Sequence, residues 1–212
     1  TVAGGAVSIA NGNLGVAVLT SGADSYVAAH GDVFARTLNA GALTGSGTVA
    51  FTYNSGPSAG HEISDWTFAN VAGLGSGLAD DLVEVSGDNV TVTLGTLFST
   101  SVATFDLVSK SVTGVVTEAG SVDGSLFTLQ LTGITISIAG GAVSIANGNL
   151  GVAVLTSGAD TYVAAHGDSF ALTLNAGALT GSCTVAGTYN SGPSAGHEIS
   201  DWMFASVAGL GS

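Results

Sequence analysis

The sharpest chemical cluster in the sequence is HEISD at 61–65, which recurs at 197–201. On a helix, His61 and Asp65 would stand four residues apart on one face. A zinc-protease helix uses that spacing but carries a second His where Asp65 stands, so the motif is incomplete. His30 and Asp32, in AAHGD, supply the same donor types. His30, Asp32, His61 and Glu62 therefore form one candidate metal set, provided the fold gathers them. The competing expectation, and the preferred one, is a loop whose polar side chains bond backbone amides and cap a short helix. Beside the motif, Trp66 and its copy Trp202 are candidate ligand contacts for a module that captures a glycan or a metal.

A second cluster follows at once. GLADDLVEVSGDN places Asp80, Asp81, Glu84 and Asp88 within nine positions. Crowded carboxylates repel one another, and a hard dication with several oxygen ligands would neutralise them, which makes calcium the candidate ion. Glu118 and Asp123 are further oxygen donors that could join in space. The spacing fits neither an EF-hand loop nor the Gly-Gly-x-Gly-x-Asp nonapeptide, and the alternative is a solvated acidic turn. GLGSG at 73–77 lacks the Lys-Ser/Thr of a phosphate loop and reads as linker. No Gly-x-Ser-x-Gly elbow appears. Paired carboxylates for glycoside cleavage leave a secreted hydrolase as the last of the alternatives, and no enzymatic activity is expected.

The elements that must hold these residues are set by a duplication. Residues 3–76 match 139–212 at a constant offset of 136, with seven differences: Ser25/Thr161, Val33/Ser169, Arg36/Leu172, Gly47/Cys183, Phe51/Gly187, Thr67/Met203 and Asn70/Ser206. The chain reads as module A (1–76), module B (77–136) and module A′ (137–212), about one and a half turns of a long period. That period exceeds the roughly 20–50 residues of short-repeat solenoids and suits a string of domains, as though cut from a longer array.

Alternation of period two dominates. In AVSIANGNLGVAVL, Val7 and Ile9, then Leu14, Val16 and Val18, flank Asn11-Gly12, which predicts a tight hairpin there. NVTVTL predicts a strand with one dry and one wet face. In LFTLQLTGITISIA the apolar positions are odd up to Leu131 and even from Ile134, which predicts a β-bulge at Gly133 or a crossing between sheets. A loop symmetric about 43–44 would set Arg36 opposite Phe51, both altered in A′. GHEISDWTFANVAGL leaves a short helix, a strand and an irregular segment open. Many short strands predict an all-β fold of sandwich or barrel-like modules, with a β-solenoid as alternative.

Composition bounds the partners. Two basic residues face fifteen acidic ones, for a net charge of −13, with only 8% charged residues but 46% hydrophobic ones and 33 glycines. Disordered chains show the reverse balance. Lys110 and Arg36 alone cannot displace counterions from phosphate, so neither nucleic acid nor anionic lipid is an expected partner. No apolar run approaches the ~18–20 residues of a membrane helix, and no signal peptide is visible. Cys183 is the only cysteine; Gly47 takes its place in A, so the thiol reads as a small apolar residue.

This combination of long-period tandem repeat, acidity, scarce Lys, Arg and Cys, and abundant Gly, Thr, Val and Ala resembles the repeat regions of large secreted bacterial surface proteins, the RTX-type adhesins and S-layer-like proteins. The resemblance implies a secreted or cell-surface location, Ig-like β-sandwich modules, calcium-dependent rigidity and a role in adhesion or fibre formation. The expected function is structural: an adhesive stalk, or a subunit of a self-assembling filament or layer whose main partners are copies of itself.

Overall fold

Thr, Val, Ile and Phe at alternate positions fit a pleated, half-buried surface, and the chain answers with strands almost throughout. The computed structural model describes residues 7–58 and 60–211; the first six residues of module A lie outside it. Ten strands are present: β1 (Val7–Ala10), β2 (Asn13–Ser21), β3 (Asp24–Ala40), β4 (Leu43–Ser55), β5 (Leu82–Leu94), β6 (Phe98–Thr117), β7 (Gly120–Ile138), β8 (Val143–Ser157), β9 (Asp160–Ala176) and β10 (Leu179–Ser191). They form one antiparallel sheet in the order β1-β3-β4-β5-β6-β7-β8-β9-β10, with β2 also on β3. The fold is all-β, as expected. Modules A, B and A′ are successive stretches of the same meander. Because β8 repeats the residues of β1 and β2, one period corresponds to a six-stranded width of sheet.

The predicted hairpin at Asn11-Gly12 does not form. Ala10 pairs with Ala35 and Asn13 with Asp32, so the chain runs straight on along β3. Asn11 takes a left-handed φ of 58°, and Gly12 leaves room for the Phe34 ring. The same text in A′ stays within β8, with Asn147 at φ 57° and Gly148 under Phe170. Asn-Gly supplied the positive φ that a turn needs, but the long partner strand held the backbone extended on both sides.

Asn11 and Asn147 belong to a belt of irregularities crossing the sheet. Gly133 is left-handed at φ 60°, and the β7–β8 register shifts beside it, as predicted. Asn89 in β5 and Ser169 in β9 are also left-handed, beside register shifts with β4 and β10. Strand β4 shows what the belt achieves. It runs without a bulge, so its odd residues share one face. Gly45 and Leu43 oppose Val92 and Leu94, whereas Phe51 and Tyr53 oppose Val85 and Val83. The bulge lets even and odd apolar residues of β5 reach the same side.

The result is one continuous apolar face. The opposite face changes character at the belt. Beyond it lie hydroxyl pairs, Ser8 with Thr37 and Ser46 with Thr91 at 2.9 Å, and Thr104 with Thr132 at 2.6 Å adjoins its near side. Before it, the segment after β4 folds back and buries Trp66 against Ala17 and Ala28 of the sheet. In A′ the segment after β10 buries Trp202 and Ile199 against Leu126, Leu155 and Tyr162. Each indole N–H is satisfied by an asparagine, Trp66 Nε1 donating to Asn54 Oδ1 at 2.9 Å and Trp202 Nε1 to Asn190 Oδ1 at 3.1 Å. This capped face holds most of the core.

The loop between β3 and β4 is centred nearer Gly41 than 43–44, which moves the register. Arg36 therefore opposes Gly47, not Phe51. Phe51 stacks on Phe34 with centroids 6.1 Å apart. In A′ the partners of that first pair have changed together, to Leu172 opposite Cys183.

A Cβ at Gly133 would stand 2.7 Å from that of Ala103, on a left-handed backbone. Gly133→Ala should cost about 1–3 kcal/mol in urea unfolding. Gly181→Ala, with nothing within 4 Å of its Cβ, should stay within about 0.5 kcal/mol of the parent.

Candidate functional site

The HEISD segment is irregular, followed by one 3-10 turn, Thr67–Ala69. Asp65 starts that turn: its Oδ1 accepts from the Thr67 amide at 3.0 Å and the Thr67 hydroxyl at 2.6 Å. Those donors hold the Asp65 carboxyl below the usual range. His61 lies against Ser58, with Nδ1 3.0 Å from Oγ. His30 is elsewhere, on the capped face of β3, with Nδ1 3.2 Å from Thr52 Oγ1 and its ring against Gly73. Asp32 accepts from Asn13 Nδ2 at 2.8 Å. The structure thus distributes His30, Asp32, His61 and Glu62 over separate contacts, and among the described residues no three His, Cys, Asp or Glu side chains group as metal ligands do. Trp66 and Trp202, 1% and 4% exposed, are core residues of the two caps.

The acidic run is also divided. Asp80 and Asp81 precede β5 and meet Glu62 of the cap. Burial first, and then the Asp81 and Asp80 charges, push the Glu62 carboxyl up. Asp81 Oδ2 accepts from Ser111 Oγ at 3.0 Å. Glu84 lies further along β5, on the capped face between Thr52 and Val108, and Asp88 beyond it between Thr48 and Thr104. Period-two geometry separates what sequence proximity suggested. Asp123 accepts from the Gly114 amide at 2.7 Å, and the Glu118 amide donates to Glu198 O at 3.3 Å.

A polar row crosses the capped face near the belt. It includes His30, Glu84, Asp106, Gln130 and His166. Burial raises the Asp106 carboxyl; burial and then the Asp106 charge raise Glu84, which His30 partly opposes. Gln130 ties the second cap to β7: its Nε2 donates to Ser206 O at 3.1 Å and its Oε1 accepts from the Ala208 amide at 3.3 Å. His166 Nε2 stands 3.4 Å from Asp168 Oδ2, and Asn149 Nδ2 donates to Asp168 Oδ1 at 2.8 Å. Asn149, Ser169 and His166 all hold the Asp168 carboxyl low. Gln130, Asn149, His166 and Asp168 line a cavity of about 220 Å3. They orient a cap on a sheet. Sequence reading missed Asp106 and Gln130, although an acid between Phe105 and Leu107 marks a charge aimed at the capped face.

Two features outside these clusters are larger. The first is the pair of sheet edges, β1/β2 and β10. The sequence of β10 copies that of β4 apart from Cys183 and Gly187, yet β4 is hydrogen-bonded along its outer side by β5, and among the described residues no strand pairs with the outer side of β10. The second is the apolar face. Leu14, Val18, Val83, Phe127 and Tyr189 are 64%, 61%, 41%, 37% and 58% exposed. Comparison with protein-family models, curated proteins and solved structures returns no match for this chain.

The raised carboxyls give a pH test. Asp106 and Glu84 hold their protons to higher pH when folded than unfolded. Their ionisation therefore opposes folding, and stability falls as pH rises from the ordinary carboxylate range through the raised values. Asp106→Asn should raise the melting temperature at neutral pH and leave it unchanged near pH ~3, where both states are protonated. Calorimetry at the two pH values reads the difference.

Proposed function

We propose that this chain is a structural repeat, a section of extracellular surface filament or layer that grows by adding strands to its sheet. The observation that carries the reading is the open edge of β10. Its near-copy β4 is paired on both sides, by β3 and by β5, so this strand sequence is already compatible with an interior position. The other edge, β1/β2, copies β8, which is interior between β7 and β9. Both rims thus carry interior strand sequences with no outer neighbour among the described residues. Unpaired N–H and C=O groups along a rim are templates for strand addition. Joining the β10 rim of one copy to the β1/β2 rim of the next is a head-to-tail contact, and such contacts run on into filaments unless they close.

The hydrogen bonds of the edges suffice for this growth without chemistry at the His and Asp clusters. A structural role also explains a sheet in which the same stretch serves twice, since copy number extends the surface without a new fold. Secretion, adhesion and the place of calcium belong to the same proposal. They rest on the resemblance drawn from composition and repeat.

Negative-stain electron microscopy of the purified chain, with and without a chelator, tests the reading. Filaments or sheets are expected. Charged residues, Lys above all, protect natural edge strands, so Ser182→Lys combined with Thr184→Lys on β10 should shorten or abolish them. Both positions are exposed, so the melting temperature should hold. Monodisperse single particles from the parent chain at high concentration would overturn the proposal.

A further inference from the structure

The apolar face is too large to be left in water. Strands β3 to β10 are each at least thirteen residues long. At about 4.8 Å between strands and about 3.3 Å per residue, this sheet presents on the order of 1,600 Å2 on one side. Soluble monomers rarely show an apolar patch beyond roughly 300–600 Å2, and a stable protein interface needs about 800 Å2 from each partner. The caps lie on the other face, and the described residues provide no second layer here. The face extends across the belt, from Val83 and Phe127 on one side to Val92 and Ile138 on the other.

Charge says which occupant fits. The chain carries −13, so two copies repel at long range. Yet the acids Asp32, Glu84, Asp88, Asp106 and Asp168 all point to the capped face, as their cross-strand partners show, and only Asp123, near the start of β7, shares the side of Phe127. Arg36 is a charge on the apolar side, opposite Gly47. Gly45 and Gly47 leave a shallow cavity of about 440 Å3 there, floored by Val90, Val92 and Phe105. The surface that carries fewest carboxylates, with Asp123 at its rim, is therefore the one that two like-charged copies can share. A hydrocarbon bilayer is a poorer occupant, because the β1/β2 and β10 rims would carry unpaired backbone groups into it.

We infer that the apolar face is covered by the same face of a second copy, the two sheets packing about 10 Å apart as a sandwich. The inference deepens the structural reading. It makes the growing unit a double layer, dry inside, with the capped faces and hydroxyl rows outward.

Sedimentation velocity on the full chain tests it. A dimer is expected in the micromolar range, tightening several-fold as sodium chloride rises from about 20 mM to about 500 mM and screens the repulsion. Val83→Glu combined with Phe127→Glu places two carboxylates on the face at partly exposed positions. It should weaken the dimer at least about tenfold, roughly 1.4 kcal/mol. Thr91→Glu with Thr93→Glu, on the hydroxyl side, should not. Tryptophan fluorescence reports that the caps remain folded in each variant. The salt dependence of the parent stands as a second measurement if a variant unfolds.

A parent that sediments as a monomer at about 100 μM in high salt would overturn the inference. So would a dimer indifferent to the face variants, or a monomer that floats with phosphatidylcholine vesicles. Filaments that persist in the face variant would sink the sandwich and spare the edge-growth proposal. Dimers without filaments would do the reverse.

Discussion

The pleat of a β-strand sends successive side chains to opposite faces, and the whole molecule depends on interrupting that rule along a single line that crosses most of its strands. Left-handed residues at Asn11, Asn89, Gly133, Asn147 and Ser169 make the interruption. Most of these are asparagine or glycine, the residues that reach a positive φ at least cost. Without the belt, the apolar residues of β5 and β7 would change sides midway. Each face would then be half wet and half dry. With it, strands as long as the twenty residues of β6 keep one apolar side.

That segregation assigns separate tasks to the two faces. The capped face collects most of the strand acids, His30, His166 and both tryptophans, and it is where the chain covers itself. Asn54 and Asn190 set the position of each cap by accepting the indole proton, while Gly15 and Gly151 let Val71 and Val207 approach the sheet closely. The apolar face has no such covering among the described residues. The duplicated modules differ mainly in what lies beside them. Strand β4 has β5 as neighbour and β10 is a rim, and the differences Arg36/Leu172 and Gly47/Cys183 face one another, across β3 and β4 in A and across β9 and β10 in A′.

Strand content and the bulge at Gly133 were legible because they rest on period two, which is local. NVTVTL and LFTLQLTGITISIA state their faces directly. The hairpin at Asn11-Gly12 was misread because the same left-handed backbone serves a turn and a bulge. Only the partner strand decides between them, and β3 is too long to permit reversal. The pairing of Arg36 with Phe51 failed by a shift of the loop centre, since register depends on turn geometry rather than on side chains. The cap around Trp66 was ambiguous for another reason. Its order comes from contacts with β2, β3 and β4, not from any period of its own. The acidic run looked like one site because its members are close in sequence. The extended backbone of β5 carries Asp88 roughly 20 Å from Leu82 and so well away from Asp81, at about 3.3 Å per residue.

The linear order of the meander has a mechanical consequence. Strands β1 and β10 lie at opposite rims, and every strand in between is flanked by its neighbours in sequence. Tension applied across the sheet therefore peels one ladder at a time, breaking few bonds at any moment, instead of shearing a whole interface at once. Each released strand of thirteen to twenty residues pays out roughly 45–70 Å of slack at about 3.3–3.6 Å per residue. The molecule would yield gradually under load, as a shock absorber does, and rewind strand by strand when the pull is relaxed.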